Sequence, residues 1–356
     1  MPPASSDLLA RVAASPPSRR GELFPYREVR VGAAVRPFAR TAVIESLGEV
    51  PWLDGPLPTA DFLTATSTNA LLIVRDGVLT TEWYAPGVSP ERKHSSWSVA
   101  KSIVSLLIGH AVTDGLIDVD DRLVDILPEM RTGGPFDDVT VLHLLNMTSS
   151  IDVPENVEGG DTETGTMGMY YADDSAAYLA RFRTVTAAPG TVGTYRSVDT
   201  AYLGMILARV TGQPLAELAT AWLWQPIGAE APARWNLDRV GVEKAYCCFN
   251  ATARDFARLG RLMAEDGMVG DQRIVAAHWM ERIAAPSPLP VDELPYSTQW
   301  WHTQGTERDF SALGIHGQYV YVHPATRTTI VKLSDYGTEQ HELETLSALQ
   351  HLATGR

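Results

Sequence analysis

The sequence predicts a mixed α/β (α+β) protein in which a central mixed antiparallel sheet is flanked by helices and carries an inserted helical lobe. Strand-like patterns occur near both ends of the 356-residue chain, at 70–84 and 298–333, whereas helical apolar spacing fills most of the middle. No internal repeat is evident. We therefore expect strands from both ends to build one sheet and the intervening helices to form the lobe.

Domain boundaries follow from composition and from the positions of these patterns. Residues 1–22 mix Pro, Ser and Arg with small residues, and we expect them to form a poorly ordered leader without catalytic residues. Residues 23–96 together with 245–356 are assigned to the α/β sheet domain. Residues 97–244 form the mainly helical lobe, and the active site is expected at the junction.

The predicted elements can be placed along the chain. Two β-rich runs flank Asp76-Gly77, a strong hairpin signal. Later strands are predicted at 298–302, 319–322 and 328–333, and helices at 141–147, 175–182, 200–211, 215–223, 252–266 and 342–352. Residues 149–171 are rich in Gly, Thr and acidic side chains, which predicts a surface loop.

Composition and charge exclude several classes of function. The formal net charge is −14 and no Lys/Arg cluster offsets it, which argues against a nucleic-acid partner. No run approaches about 20 apolar residues, and the N-terminal region lacks the apolar core of a signal peptide, so we expect no membrane partner and a cytoplasmic location. Cys247 and Cys248 are adjacent, and we expect neither a disulfide nor a metal site from them.

The first candidate for catalysis is a Ser-x-x-Lys motif at the start of an apolar helical pattern. Ser98 and Lys101 lie about one helical turn apart, so their side chains can meet. Serine is a weak nucleophile, and a lysine kept neutral by burial can accept its proton. This spacing is known from serine acyl-enzymes. On the motif alone, an N-cap role for Ser98 stays open.

Two further clusters follow in the chain. Tyr195 lies just before a predicted helix, where a phenol can both donate and accept a proton. The alternative is that Tyr195 packs at a lobe boundary. Gly314 and Gly317 lead into the strand at 319–322 and permit close backbone approach to a ligand, although such glycines also fit a β-bulge.

Taken in order, these three clusters resemble those of the penicillin-recognising serine hydrolases, especially class C β-lactamases and related esterases. A closer resemblance is to the 6-aminohexanoate-dimer (nylon oligomer) hydrolases, and it spans roughly residues 70–340. The segments that carry it are Ser98-Val99-Ala100-Lys101-Ser102, Ser150-Ile151-Asp152, Tyr195-Arg196-Ser197, Thr252-Ala253-Arg254-Asp255, Gln299-Trp300-Trp301 and Gly314-Ile315-His316-Gly317-Gln318.

The resemblance implies a β-lactamase/transpeptidase-like fold and a set of catalytic roles. It implies Ser98 as nucleophile, Lys101 as its base and Tyr195 as the acid/base group that serves the leaving atom. The backbone N–H groups of Ser98 and Ile315 would form the oxyanion hole. The mechanism calls for no cofactor, and the nine histidines show no metal-ligand spacing, so we expect no metal.

The substrate side departs from the family pattern. The nylon-dimer hydrolases carry a tyrosine five residues after the Ser-Ile-Asp aspartate, but Val157 holds that position here, with Tyr170 or Tyr171 as possible replacements. The third motif lacks the lysine of the Lys-Thr-Gly pattern, so we expect little β-lactamase activity. Further substrate-binding candidates, each with a structural role as the alternative, are Trp97, Tyr246, Trp301 and His316.

These observations predict a serine hydrolase that cleaves an amide or ester bond of a small-molecule acyl donor through acyl-Ser98. The alternative is a transacylase or amide synthase of small-molecule biosynthesis, which passes the acyl group to an amine or alcohol acceptor. A non-catalytic ligand-binding module is a third hypothesis. The sequence is compatible with a homodimer and does not decide the oligomeric state.

Overall fold

The computed structural model describes residues 6–41, 46–156, 161–305, 307–338 and 340–355. The α-helices in these ranges are α1 (Ser6–Ala14), α2 (Thr59–Ala65), α3 (Val99–Thr113), α4 (Leu123–Ile126), α5 (Val141–Leu145), α6 (Gly165–Tyr171), α7 (Ser175–Leu179), α8 (Ser197–Thr211), α9 (Leu215–Ala219), α10 (Ala253–Ala264), α11 (Ala277–Ala284) and α12 (Glu342–Thr354). A π-helical turn, Thr220–Trp224, continues α9, and 3₁₀ turns lie at Pro17–Leu23, Pro128–Met130, Pro135–Asp138 and Pro324–Thr326.

The strands in the same ranges are β1 (Tyr26–Val29), β2 (Ala39–Arg40), β3 (Glu49–Trp52), β4 (Gly55–Pro58), β5 (Thr68–Arg75), β6 (Val78–Tyr84), β7 (His94–Ser95), β8 (Ala233–Asn236), β9 (Phe249–Ala251), β10 (Met268–Val269), β11 (Gln272–Arg273), β12 (Tyr296–Ser297), β13 (Trp300–His302), β14 (Phe310–Gly314), β15 (Gln318–His323) and β16 (Thr328–Ser334).

The main sheet has eight strands in the order β12-β13-β14-β15-β16-β5-β6-β2. All neighbours are antiparallel except β2 and β6, which makes the sheet mixed. The pairing of β16 with β5 joins the C-terminal strands to the hairpin near the N-terminus. The predicted fold class, a mixed sheet built from both ends of the chain, is therefore confirmed.

Alternation along the strands gives the sheet two buried faces. On β5, Leu72 and Val74 belong to the large core that also contains α3 and α10. Leu71 and Ile73 point to the opposite face and pack in a second core with α2 and α12. Side chains at neighbouring strand positions face opposite sides, so an almost continuous apolar run is what a sheet covered on both faces requires.

Helix α3 lies at the centre of the large core. Its residues from Val99 to Gly109 are all buried, and small residues let its neighbours approach closely. At Gly109, an added Cβ would lie 2.5 Å from the Trp279 ring. The helix that the apolar pattern after Ser98 predicted is therefore present, and it carries the candidate lysine, Lys101, into the protein interior.

The N-terminal residues differ from the poorly ordered leader expected for 1–22. Residues 6–14 form α1, and a 3₁₀ turn follows, in which Ser18 and Arg20 are buried. The backbone N–H and hydroxyl of Ser18 both donate to Asp335, and Gly21 N–H donates to Ser95 Oγ. Specific hydrogen bonds to the sheet domain thus order a stretch whose composition alone indicated disorder.

Other elements were predicted only in part. The loop expected at 149–171 contains α6, and the position of Val157 lies outside the described residues. A second, antiparallel sheet of order β1-β8-β9-β7 was not predicted, because its strands are two to four residues long and far apart in sequence. Within the described ranges, none of the helices combines the length and apolar character needed to cross a bilayer.

Candidate active site

Ser98 stands at the start of α3, directly after Trp97, whose φ of +51° lies in the left-handed region. Such a conformation is costly for a bulky residue and is often found at functional sites. The Ser98 hydroxyl makes no capping hydrogen bond to the helix. Instead, its Oγ lies 2.9 Å from Lys101 Nζ. The N-cap alternative therefore does not describe where this hydroxyl points.

The Lys101 amine is buried and has two further contacts. Its Nζ donates to Ser197 Oγ at 3.0 Å and to the backbone carbonyl of Tyr246 at 2.9 Å. Burial lowers the pKa of Lys101 to about 8, although the carboxyl groups of Glu155 and Asp199 act to raise it. About a tenth of the Lys101 side chains are then neutral at pH 7, far more than at the ordinary lysine pKa of 10.5, and a proton acceptor for serine must be neutral.

Tyr195 contacts the same hydroxyl from the other side. Interaction of its phenol with the Ser98 side chain acts to lower the pKa of Tyr195, and Lys101 Nζ lies 4.8 Å from its ring centroid. Desolvation raises the pKa of Tyr195, so the phenol keeps its proton at neutral pH. The ring also stacks on Trp301 with centroids 5.4 Å apart. Tyr195 therefore packs at the junction and also contacts Ser98, so the two predicted roles are compatible.

The end of β14 approaches the start of α3 closely. An added Cβ at Gly314 would lie 2.4 Å from Ser96 O and 3.0 Å from Ser98 N, which explains why the site has glycine here. The next residue, Ile315, lines the same cavity as Ser98. This arrangement brings together the two residues whose N–H groups were predicted to form the oxyanion hole.

A cavity of about 380 Å³ opens above these groups. The predicted substrate contacts Trp97, Tyr170, Tyr246, Trp301 and His316 all line it. A volume of this order accommodates a small molecule, and aromatic walls are typical of such sites.

The arrangement of these groups matches a known family, and the whole chain supports the match. A model of the beta-lactamase family matches residues 62–354. The chain belongs to the beta-lactamase family. As a member of this family it is a hydrolase that acts on an amide or ester bond, which confirms the predicted class of enzyme.

Individual relatives show which proteins of the family this chain is similar to. The 6-aminohexanoate-dimer hydrolase of Paenarthrobacter ureafaciens is 30% identical over 341 residues, which cover 90% of this chain and 84% of that protein. A Bacillus anthracis structure, provisionally named a 6-aminohexanoate-dimer hydrolase, has a TM-score of 0.82 at 22% identity, covering 99% of this chain and 98% of that chain. A family VIII carboxylesterase has a TM-score of 0.65 at 17% identity, with 82% and 95% covered. The predicted family resemblance is confirmed.

In this beta-lactamase-family site, aromatic contacts hold the substrate candidates in place. The ring centroid of Trp97 lies 5.0 Å from that of His316 and 6.0 Å from that of Tyr170. The Tyr170 ring also meets Phe24 at 5.1 Å, and its backbone carbonyl accepts a hydrogen bond from Lys244 Nζ. These contacts are compatible with both the structural and the substrate-binding role of each residue.

The sequence analysis missed several residues of the pocket wall. Val12 and Arg20 come from the N-terminal region, and Glu155 and Asp292 from loops. Trp97 Nε1 donates to the carbonyl of Pro17, which connects the N-terminal region to the residue beside Ser98. None of these positions forms a spaced motif with Ser98. The pair Arg19-Arg20 and the acidic character of the 149–171 loop were the only local signals.

The expectation for the cysteines was wrong, because Cys247 and Cys248 form a disulfide bond with each other. The expectation assumed that adjacent residues cannot bridge, but Cys248 adopts a φ of +73°, and the two side chains meet. Cys247 lines the pocket, next to the Tyr246 carbonyl that binds Lys101. Among the residues that the structure describes, no group of three His, Cys, Asp or Glu side chains could hold a metal ion.

Proposed function

We propose that this beta-lactamase-family hydrolase forms an acyl-enzyme on Ser98 and cleaves an amide or ester bond of a small molecule. The observation that carries the proposal is the position of the Ser98 hydroxyl, which contacts both Lys101 and Tyr195 in the 380 Å³ pocket. A nucleophile, a base with a lowered pKa and a protonated phenol are then within one hydrogen-bond network.

The chemical steps follow from these groups. Lys101 accepts the Ser98 proton while Oγ attacks the acyl carbon, and the N–H groups of Ser98 and Ile315 stabilise the tetrahedral oxyanion. Tyr195 donates its proton to the leaving nitrogen or oxygen, and the proton held by Lys101 returns to the phenolate. Water then attacks the acyl carbon and gives its proton to Lys101, which passes it to Ser98 Oγ as the acyl C–Oγ bond breaks, so the carboxylic acid and free Ser98 are released.

The pocket suggests the kind of substrate. Six Trp and Tyr residues line its wall: Trp97, Tyr170, Tyr171, Tyr195, Tyr246 and Trp301. Because the Paenarthrobacter relative is named a 6-aminohexanoate-dimer hydrolase, we propose short linear amides and short-chain esters as substrates. Without the lysine of the Lys-Thr-Gly pattern, β-lactams are expected to be poor substrates.

The test is acylation of Ser98 by short-chain p-nitrophenyl esters, followed by intact-mass spectrometry beside Ser98→Ala. We expect release of p-nitrophenol and an acyl adduct in the wild type, and neither in the variant. A wild type that is as inert and unlabelled as Ser98→Ala would overturn the proposal and favour the ligand-binding hypothesis.

The same assay shows whether water or an amine accepts the acyl group from Ser98. Adding a panel of primary amines divides the acyl group between hydrolysis and amide formation. We expect hydrolysis to dominate, because water attack is the reaction of the hydrolases to which this chain is related. Amide product in excess of acid at millimolar amine would support the transacylase alternative.

The remaining expectations are proposals about context. We propose a cytoplasmic location, a small-molecule acyl donor and no membrane partner. We also propose no nucleic-acid partner, because the net charge of −14 opposes binding to a phosphate backbone. A homodimer is the oligomeric state to test, by light scattering of the purified chain.

A further inference from the structure

Glu155 is bound at three points on the wall of the pocket. Its Oε1 accepts a hydrogen bond from Ser197 Oγ at 2.7 Å, and its Oε2 accepts from the backbone N–H of Ser197 at 2.6 Å. The hydroxyl of Thr166 on α6 also donates to Oε2, at 2.7 Å. The side chain is exposed toward the pocket, yet both carboxylate oxygens have assigned partners. These bonds connect Glu155 to the residue that contacts Lys101.

The donors and acceptors around Lys101 indicate what the connection to Glu155 does. The carbonyl of Tyr246 can only accept a hydrogen bond. Ser197 uses its hydroxyl proton for Glu155, so its oxygen presents lone pairs to Lys101. When Lys101 is neutral, its two N–H groups are therefore directed to these two acceptors. The one remaining position on nitrogen, its lone pair, then faces Ser98 Oγ at 2.9 Å.

We propose that Glu155 is a positioning residue that fixes the direction of the Ser197 hydroxyl and thereby keeps the lone pair of Lys101 on Ser98. The proposal rests on the proposed function of Ser98 and Lys101. Without the carboxylate, the Ser197 hydroxyl can turn and donate to the Lys101 lone pair. The lone pair is then occupied, and the Ser98 proton has no acceptor.

Substituting Glu155→Gln removes this control while keeping the size of the side chain. The amide has one acceptor oxygen for the two Ser197 donors. If that oxygen binds the Ser197 N–H, the amide nitrogen faces Ser197 Oγ as a donor and turns the hydroxyl proton toward Lys101. If it binds the hydroxyl, the two N–H groups oppose each other. Either arrangement weakens the geometry in which Lys101 acts as base.

The charge of Glu155 has a separate effect, which the pH profile isolates. The charged or titratable groups that face Lys101 are Glu155, Asp199 and Tyr195. The carboxylate of Glu155 raises the pKa of Lys101. Its removal therefore moves the acid limb of kcat to lower pH. Above that limb Lys101 is neutral in both proteins, so the plateau value of kcat reports only how its lone pair is oriented.

The experiment compares pH profiles of ester hydrolysis for wild type, Glu155→Gln and Glu155→Asp. For Glu155→Gln we expect a plateau kcat lower by roughly tenfold or more, because correct general-base catalysis contributes about 10²- to 10⁴-fold, and an acid limb shifted to lower pH. Glu155→Asp keeps the charge but is shorter, so its plateau falls while its acid limb stays. The matched control is Glu163→Gln on the same loop, where the side chain is exposed.

A double variant separates positioning from support of the pocket wall. In a Ser197→Ala background there is no hydroxyl to direct, so adding Glu155→Gln should change the plateau kcat by less than about threefold, a strongly non-additive result. A further tenfold loss in that background, or an unchanged plateau in Glu155→Gln, would overturn the inference. Failure of the proposed function is recognised separately, since the wild type would then form no Ser98 adduct.

Discussion

Lys101 and Lys332 are two of the buried lysines of this protein, and they differ in what surrounds them. Lys101 contacts the hydroxyls of Ser98 and Ser197, and its pKa is lowered to about 8. Lys332 lies on β16 in the second core, where its Nζ donates to Ser334 Oγ at 2.8 Å. Burial lowers the pKa of Lys332 to about 7. A buried lysine with a lowered pKa is therefore not by itself a sign of catalysis.

The two lysines differ in the groups that their amines contact. The Lys101 amine faces a hydroxyl that opens into a cavity and that a phenol also contacts. The Lys332 amine lies over the rings of Phe62 at 5.4 Å and Tyr319 at 5.9 Å, and it is not among the residues lining that cavity. A base needs an acidic proton and a reachable substrate, and only Lys101 has both. The following experiments test this distinction.

The largest expected effect is that of Lys101→Met. Removing the base should lower kcat/KM for ester hydrolysis by roughly 10³-fold or more, as when a member of a catalytic unit is lost. Thermal unfolding should show that the variant is folded. Activity within tenfold of the wild type would contradict the assigned role.

The pH dependence of the wild type should follow Lys101. Because the pKa of Lys101 is about 8 and the base must be neutral, kcat/KM should fall about tenfold per pH unit below that value and level off above it. Tyr195 keeps its proton, since its pKa is raised, so no early alkaline decline is expected. Ester hydrolysis measured from pH 5.5 to 9.5 checks this. A profile that is flat below pH 8 would argue against Lys101 as the base.

A smaller effect is expected from Gly314→Ala. The new Cβ would meet the Ser96 carbonyl at 2.4 Å, and since that contact is with backbone, β14 or the start of α3 has to move. Displaced oxyanion donors should lower kcat by about tenfold, less than the loss of a whole donor. Gly337→Ala is the control, because nothing lies within 4 Å of its added Cβ. Equal activity in the two variants would count against the proposed oxyanion hole.

The smallest effect on activity is expected for Lys332→Met, which should change kcat/KM less than about twofold and instead raise stability by roughly 1 to 3 kcal/mol. The pKa of Lys332 is about 7 in the folded chain and 10.5 when unperturbed. Between these values the unfolded chain binds more protons, so the cost of burying the lysine is full below pH 7 and declines as pH rises.

The gain from Lys332→Met should therefore be larger at pH 6 than at pH 9. Denaturant unfolding of both proteins at the two pH values measures it. A loss of stability at pH 6 would mean that the Ser334 hydrogen bond and the ring contacts outweigh desolvation of the amine.

The residues proposed as catalytic groups could be singled out from sequence because each belongs to a local pattern. Ser98 and Lys101 are spaced by one helical turn, and Tyr195 and Gly314 lie at the ends of regular elements. The pocket wall lacks that kind of signal. Hydrogen bonds link Glu155 to Lys101 through Ser197, which lies 42 residues after Glu155 in the chain. No spacing rule relates such positions, so they emerge only from the fold.

Other misses have a different origin. The Pro- and Ser-rich composition of residues 1–22 indicated disorder, but Ser18 finds a partner in Asp335, 317 residues later. The Cys247–Cys248 bond was missed because usual Cα separations of disulfides were applied to adjacent residues. In both cases a general rule, on composition or on Cα separation, failed because of one specific contact.

The docked N-terminal region bears on how the protein should be produced. Val12 lines the pocket and Pro17 accepts a hydrogen bond from Trp97, so a purification tag fused ahead of α1 adds to a segment that contacts the pocket wall. Helix α12 ends elsewhere, where Arg75 donates to the carbonyls of Leu352 and Ala353. A tag attached after residue 356 leaves the pocket open to substrate, and kinetic data are best collected on that form.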